Sequence, residues 1–170
     1  RNTVDLTCHL GCLDGTEAFY LIKLQPMNSA LQINSWEGKR ISLYSSGIGK
    51  TLLAWQPLEE QKNIVSRLHL EPITVHTITS SDVLLNHLAD IRRQGCAMDN
   101  EEDGLGIRCM AMPVFSVDGH VTAAVSISGP LLQMGDASLP GLRAELRKAA
   151  RGITSALGGS YPGTFEDKQL

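Results

Sequence analysis

The residues best suited to chemistry in this chain of 170 residues fall in three stretches. The longest, residues 104–130, reads GLGIRCMAMPVFSVDGHVTAAVSISGP, two extended runs around Asp118-Gly119. Alternate side chains of a strand share a face. Thr122, Ala124, Ser126 and Ser128 therefore share one face, and Val121, Ala123, Val125 and Ile127 the other. In the preceding run Ile107, Cys109 and Ala111 oppose Arg108, Met110 and Met112. A wall of Ile, Cys, Ala, Ser and Ser is shallow and mildly polar. It can line a cavity in which a polyhydroxylated ligand satisfies the serines. It can equally take a helix packed closely over small residues.

The second stretch, Gly47-Ile48-Gly49-Lys50-Thr51, resembles the end of a phosphate-binding loop, but Tyr44 stands where the full pattern needs glycine. No Mg²⁺-holding Asp ends a following apolar strand, so nucleotide hydrolysis is not expected. Two readings remain open. The backbone amides around Ser46, Gly47, Ile48 and Gly49 could meet an anion at a helix start, or the glycines could only let the helix pack close to a sheet.

The third stretch is acidic, Asp99-Asn100-Glu101-Glu102-Asp103. Such a run is ordinarily a solvated loop. Asp99, at the strand edge, could instead point inward and accept hydrogen bonds from hydroxyls, each contributing roughly 1.5–3 kcal/mol.

Covalent catalysis is harder to assemble. His9, His69, His76, His87 and His120 are scattered, and Ser126 lacks the glycines of a nucleophile elbow. His76 beside Cys109 is a conceivable pair, although a surface or core histidine is the plainer reading. Cys8, Cys12, Cys96 and Cys109 contain no CxxC pair. Cys8 and Cys12 share a face with Val4, Leu6 and Leu10 and read as small buried hydrophobes. No metal and no cofactor is expected. An enzyme in the same pocket, a small hydrolase or lyase acting on a sugar acid, stands as the alternative to a binding domain.

The elements that must position these groups follow from pattern. Residues 4–13 alternate as a half-buried strand, and Asp14-Gly15 before residues 16–24 signals a type I′ hairpin. A shorter strand pair is expected at 31–36 and 40–44. Ser45 and Ser46 can cap a helix running to about Trp55, with Ile48, Leu52 and Trp55 on one face. Pro57 opens a second helix to Leu68. Ser81 caps a third, striped by Leu84, Leu88 and Ile91 and stopped by Gly95. Strands return at about 96–100, 106–116 and 121–129. A last helix spans Ser138 to Leu157 with Leu139, Leu142, Leu146, Ala150, Ile153 and Leu157 on one side, and the tail after Tyr161 looks frayed. This order suggests a single α+β domain over 1–170, a largely antiparallel sheet covered by helices.

Composition sets outer bounds. With 42% hydrophobic residues the chain can build a real core, and its net charge of −3 argues against binding nucleic acid by itself. No apolar run approaches the roughly 18 residues of a membrane span. No signal peptide is legible, nothing demands disulfides, and a cytoplasmic location is expected. The start at Arg1, without an initiator Met, reads as a piece of a longer protein.

Three ordered motifs, SLYSSGIGKTLLAW (42–55), DNEEDGLGIRCMAMPVF (99–115) and TAAVSISGP (122–130), resemble the C-terminal effector-binding domain of the IclR family of bacterial transcription regulators. The resemblance runs from about residue 4 to 157. It implies a GAF-like α+β fold with a curved antiparallel sheet. It also implies an N-terminal winged helix-turn-helix domain, absent from this chain, that would bind operator DNA, and a homodimer or tetramer. Carried over motif by motif, the ligand-binding residues would be Gly47 in the helix-opening loop, Asp99, Ile107 and Cys109, then Ser126 and Ser128. The function implied is effector sensing for a regulator, expected to be a repressor, of sugar-acid or keto-acid catabolism. The acidic stretch looks closest to regulators that respond to keto-sugar acids such as 2-keto-3-deoxygluconate. A GAF-like module of another signalling protein is a further reading.

Overall fold

The structure, a computed structural model, describes residues 4–26, 33–163 and 165. Six strands form one curled antiparallel sheet: β1 (Thr7–Asp14), β2 (Glu17–Leu24), β3 (Arg40–Ile41), β4 (Ala97–Asn100), β5 (Ile107–Phe115) and β6 (Val121–Pro130), in the order β3-β2-β1-β6-β5-β4. The four helices are α1 (Gly47–Ala54), α2 (Leu58–Arg67), α3 (Ser81–Gln94) and α4 (Leu139–Ala156). The fold is the α+β arrangement expected from the order of elements.

The two faces of the sheet carry separate cores. On one, Ala111 and Ala124 meet Ile48 and Leu52 of α1, backed by Ile64 of α2 and Leu84, Leu88 and Ile91 of α3. On the other, Met110, Met112, Val114, Val125 and Ile127 meet Leu139, Leu146 and Ala150 of α4. Each buried Val, Leu, Ile or Met side chain among them contributes about 1.5–3 kcal/mol. The parity read from residues 104–130 is therefore realised, except at one end. The register jumps between Val114 and Phe115, so that Phe115 faces Val121, and Val121 packs on the α1 side instead of with Ala123. A bulge adds one residue to one strand and flips the parity beyond it.

Other expectations need correction. The first hairpin forms, but its two linking residues are Gly15 and Thr16, and of these only Gly15 has positive φ. That is the pattern of a II′ turn, with glycine first, and not of I′. Among the described residues, 33–36 form no strand; Arg40–Ile41 pairs with Ala18–Phe19 of β2, while 31 and 32 lie outside the described residues. Ser80, not Ser81, occupies the N-cap of α3, and its side chain makes no capping bond. Gly95 ends α3 with φ 67°. Leu157 is 52% exposed, so the stripe of α4 stops at Ile153. Beyond Tyr161, Phe165 stands edge-on to both Trp55 and Tyr161.

Candidate functional site

On the α1 side of the sheet, strand pairing lines up the polar residues in two rows. Asp99 faces Cys109, Cys109 faces Ser128, and Ser128 faces Thr7. In the next row Ala111 faces Ser126 and Ser126 faces His9. These residues come from four strands and from both ends of the stretch between Thr7 and Ser128, yet the antiparallel ladder sets them side by side. The start of α1 lies over them, because a Cβ on Gly47 would come 3.4 Å from the Ala111 Cβ. Between floor and helix lies a cavity of about 400 Å³, within the range of small-molecule sites. Eight of the nine residues singled out in the sequence line it: Ser46, Gly47, Ile48, Asp99, Ile107, Cys109, Ser126 and Ser128.

Gly49 does not. A Cβ there would meet the Ser42 carbonyl oxygen at 1.9 Å, so its hydrogen atom faces backbone and not the cavity. The two readings of the glycines thus divide between them: Gly49 is a close-packing glycine, and Gly47 borders the cavity. Ser46 caps the helix, its hydroxyl accepting from the Gly49 amide at 3.0 Å and donating to the Ser42 carbonyl at 2.6 Å. The Lys50 amide donates to the Ser46 carbonyl. The Gly47 and Ile48 amides are the first-turn donors for which a helix supplies no acceptor.

The Lys50 side chain is unavailable to a phosphate. It is fully buried, with Nζ 2.5 and 2.6 Å from the two carboxylate oxygens of Glu102. The resemblance to a phosphate-binding loop ends there. The acidic run is accordingly solvated only in part, at Asn100 and Asp103. Asp99 and Glu102 are buried, Glu101 takes a positive φ of 62°, and the Glu102 and Asp103 amides donate to Asp99 Oδ1 at 2.8 and 3.3 Å. Asp103 closes the loop onto the helix start, its Oδ1 accepting from the Ser45 hydroxyl at 2.6 Å.

Burial holds the Asp99 carboxyl at about 7, against the amide bonds and Lys50, which favour its ionised form. Burial likewise raises the Cys109 thiol, and Asp99 beside it adds to the rise. Cys109 is thus a neutral thiol on the cavity wall and no thiolate nucleophile. His76 is exposed on the α2–α3 connection and does not line the cavity. Among the described residues, no three His, Cys, Asp or Glu side chains gather as a metal would require.

Several lining residues escaped the sequence reading. Tyr20, Ser35, Ser42, Lys39, Arg40 and Asp103 are among the further residues of the wall. His9 lies behind it, 2% exposed, with Nε2 2.8 Å from Ser35 Oγ and its ring 4.7 Å from that of Tyr20. The alternation of residues 4–13 placed His9 opposite Cys8 and Leu10. It carried no sign that β1 pairs with β6, more than 100 residues away.

A curled antiparallel sheet, a helix start poised over its floor and a polar cavity between them define a small-molecule-binding domain of α+β type. The chain belongs to the IclR C-terminal family of bacterial transcriptional regulators, whose model matches residues 1–155. It is 42% identical over 161 residues to the HTH-type transcriptional regulator RhmR of Escherichia coli (strain K12), covering 95% of this chain and 62% of RhmR. The chain therefore spans about three fifths of that relative. The crystal structure of the C-terminal domain of the E. coli transcriptional regulator KdgR superimposes with a TM-score of 0.82 at 39% identity, covering 92% of this chain and 90% of that one. An IclR homologue from Microbacterium hydrocarbonoxydans, complexed with 4-hydroxybenzoate, matches with a TM-score of 0.81 at 27% identity, covering 92% of this chain and 62% of that one.

Proposed function

We propose that the cavity binds a small hydroxylated carboxylate, of the keto-sugar-acid class, as the effector of a DNA-binding transcription regulator. One observation carries this reading: the cavity is lined by two different kinds of polar group, the start of α1 and the acceptors of the sheet floor. The Gly47 and Ile48 amides at the positive end of α1 suit a carboxylate. Asp99, Ser126 and Ser128 across the floor suit hydroxyl groups. An acid with hydroxyls at its far end matches both, whereas a bare acid such as pyruvate leaves the floor unpaired.

Binding without turnover is the reading favoured by the relatives, which are named as regulators, and by a neutral Cys109. The 4-hydroxybenzoate complex of the Microbacterium homologue supports a carboxylate in this family's domain. Operator binding would belong to an N-terminal winged helix-turn-helix domain outside this chain, with the effector biasing two arrangements of a cytoplasmic homodimer or tetramer. Coupling of that kind is typically worth about 1–3 kcal/mol. The whole protein would then act as a repressor of sugar-acid or keto-acid catabolism.

A thermal-shift screen of this domain against keto acids and sugar acids tests the reading. A ligand present at about 100 times its Kd stabilises by about 2.7 kcal/mol, a rise of roughly 5–10 °C for a chain of this size. A 2-keto-3-deoxygluconate response that pyruvate does not match supports it. Flat melting curves across the whole acid panel contradict it.

A further inference from the structure

His9 is a buried imidazole that the effector pose above leaves without a role. It faces Ser126 across the β1–β6 ladder, with Nδ1 3.5 Å from Ser126 Oγ, and its other nitrogen lies 2.8 Å from Ser35 Oγ. Ser35 belongs to the segment before β3, which Lys23 holds by donating to the Ile33 and Ser35 carbonyls at 2.7 and 2.6 Å. Both serines line the cavity. We propose that His9 is a specificity-determining residue: it donates Nε2–H to Ser35 and accepts a hydrogen bond from the Ser126 hydroxyl at Nδ1, leaving Ser126 an acceptor for a ligand hydroxyl.

Three points carry this. Burial, with Lys23 nearby, lowers the imidazole to about 4, so it is neutral near pH 7. A neutral imidazole has one N–H and one lone pair. The Nε2–H form is the intrinsically favoured tautomer, and in that form the 2.8 Å contact at Nε2 is a donation to Ser35 Oγ. Ser126 has a single proton, and with that proton turned toward Nδ1 its lone pairs face the cavity. Asp99, when ionised, also only accepts. At Ser126 and Asp99 the floor then prefers donors, which distinguishes a ligand hydroxyl from a carbonyl or carboxylate oxygen at the same place.

The inference rests on the hydroxylated-acid reading for its ligand, but the tautomer can be tested without one. In the ligand-free domain, ¹⁵N-histidine NMR at pH 7 is expected to show His9 protonated at Nε2 and bare at Nδ1. A proton on Nδ1 would overturn the proposal. With ligands, calorimetry compares 2-keto-3-deoxygluconate and pyruvate on two variants. His9→Asn retains a side-chain oxygen near the Nδ1 position, and His9→Gln retains an N–H near the Nε2 position. The ratio of the two affinities is expected to fall about tenfold in His9→Gln and to stay within about twofold in His9→Asn, the tenfold step being one hydrogen bond's worth. Equal ratios in native protein and both variants would overturn the proposal while leaving the effector reading intact. If the native domain bound neither acid, the effector reading would fail, and the NMR result would still decide the tautomer.

Discussion

The Lys50 ammonium and the Glu102 carboxylate form a two-oxygen ion pair at 2.5 and 2.6 Å, with Lys50 fully buried. The pair joins α1 to the loop that follows β4, which is tied in turn to Asp99, since the Glu102 amide donates to Asp99 Oδ1 at 2.8 Å. A buried pair broken on one side leaves an uncompensated charge, at a cost of about 3–5 kcal/mol. Glu102→Gln is therefore expected to lower unfolding stability in urea by that amount. The double change Lys50→Met with Glu102→Leu is expected to recover most of it while still weakening effector binding, because the loop loses its tie to the helix.

Asp99 makes stability depend on pH. Its folded-state value of about 7 lies above that of the unfolded chain. Its contribution is therefore fully present in acid, below about 4, and is lost as pH rises through 7. Asn keeps an oxygen for the two amides but cannot ionise. Asp99→Asn is expected to melt higher than the native domain at pH 8, with the gain vanishing toward pH 4. About a third of the displacement corresponds to about 1.4 kcal/mol, or roughly 3–5 °C in Tm. Parallel melting curves of the two proteins across that range would contradict the buried state of the carboxyl.

The same group predicts proton release on binding. Ligand hydroxyls donating to Asp99 favour its ionised form. Calorimetry of a keto-sugar acid near pH 6.5, in buffers of different ionisation enthalpy, should detect a proton leaving the protein, and affinity should rise from pH 6 to 8. Pyruvate, which offers no hydroxyl, should not gain affinity over that range.

The two glycines of α1 should respond differently to alanine. Gly49→Ala puts a Cβ 1.9 Å from the Ser42 carbonyl oxygen, so α1 must shift and the domain is expected to unfold readily. Gly47→Ala meets Ala111 at 3.4 Å, which a small adjustment absorbs. It should fold normally and bind effector less well, since the added methyl borders the cavity. Chemical denaturation and calorimetry on both variants separate the two roles.

Local patterns in the sequence carried much of this site. Alternation along residues 104–130 assigned Ile107, Cys109, Ser126 and Ser128 to shared faces because the strands are regular there. It failed at Val121, where the register jump after Val114 reverses parity. The acidic run read as solvated because no local pattern reveals that Lys50, 52 positions earlier, is its partner. His9 was missed for the same reason: its meaning comes from the β1–β6 pairing, and sheet order is a long-range property. The glycines before Lys50 were ambiguous, since close packing and anion binding ask for the same residue type. Only the contact distances divided the roles between Gly47 and Gly49.

The most direct measurement is a crystal structure of the domain with 2-keto-3-deoxygluconate bound. The carboxylate is expected on the Gly47 and Ile48 amides, with hydroxyls within hydrogen-bond distance of Asp99, Ser126 and Ser128. A ligand lying the other way round, with its carboxylate against Asp99, or one seated between α4 and the opposite face of the sheet, would contradict this placement.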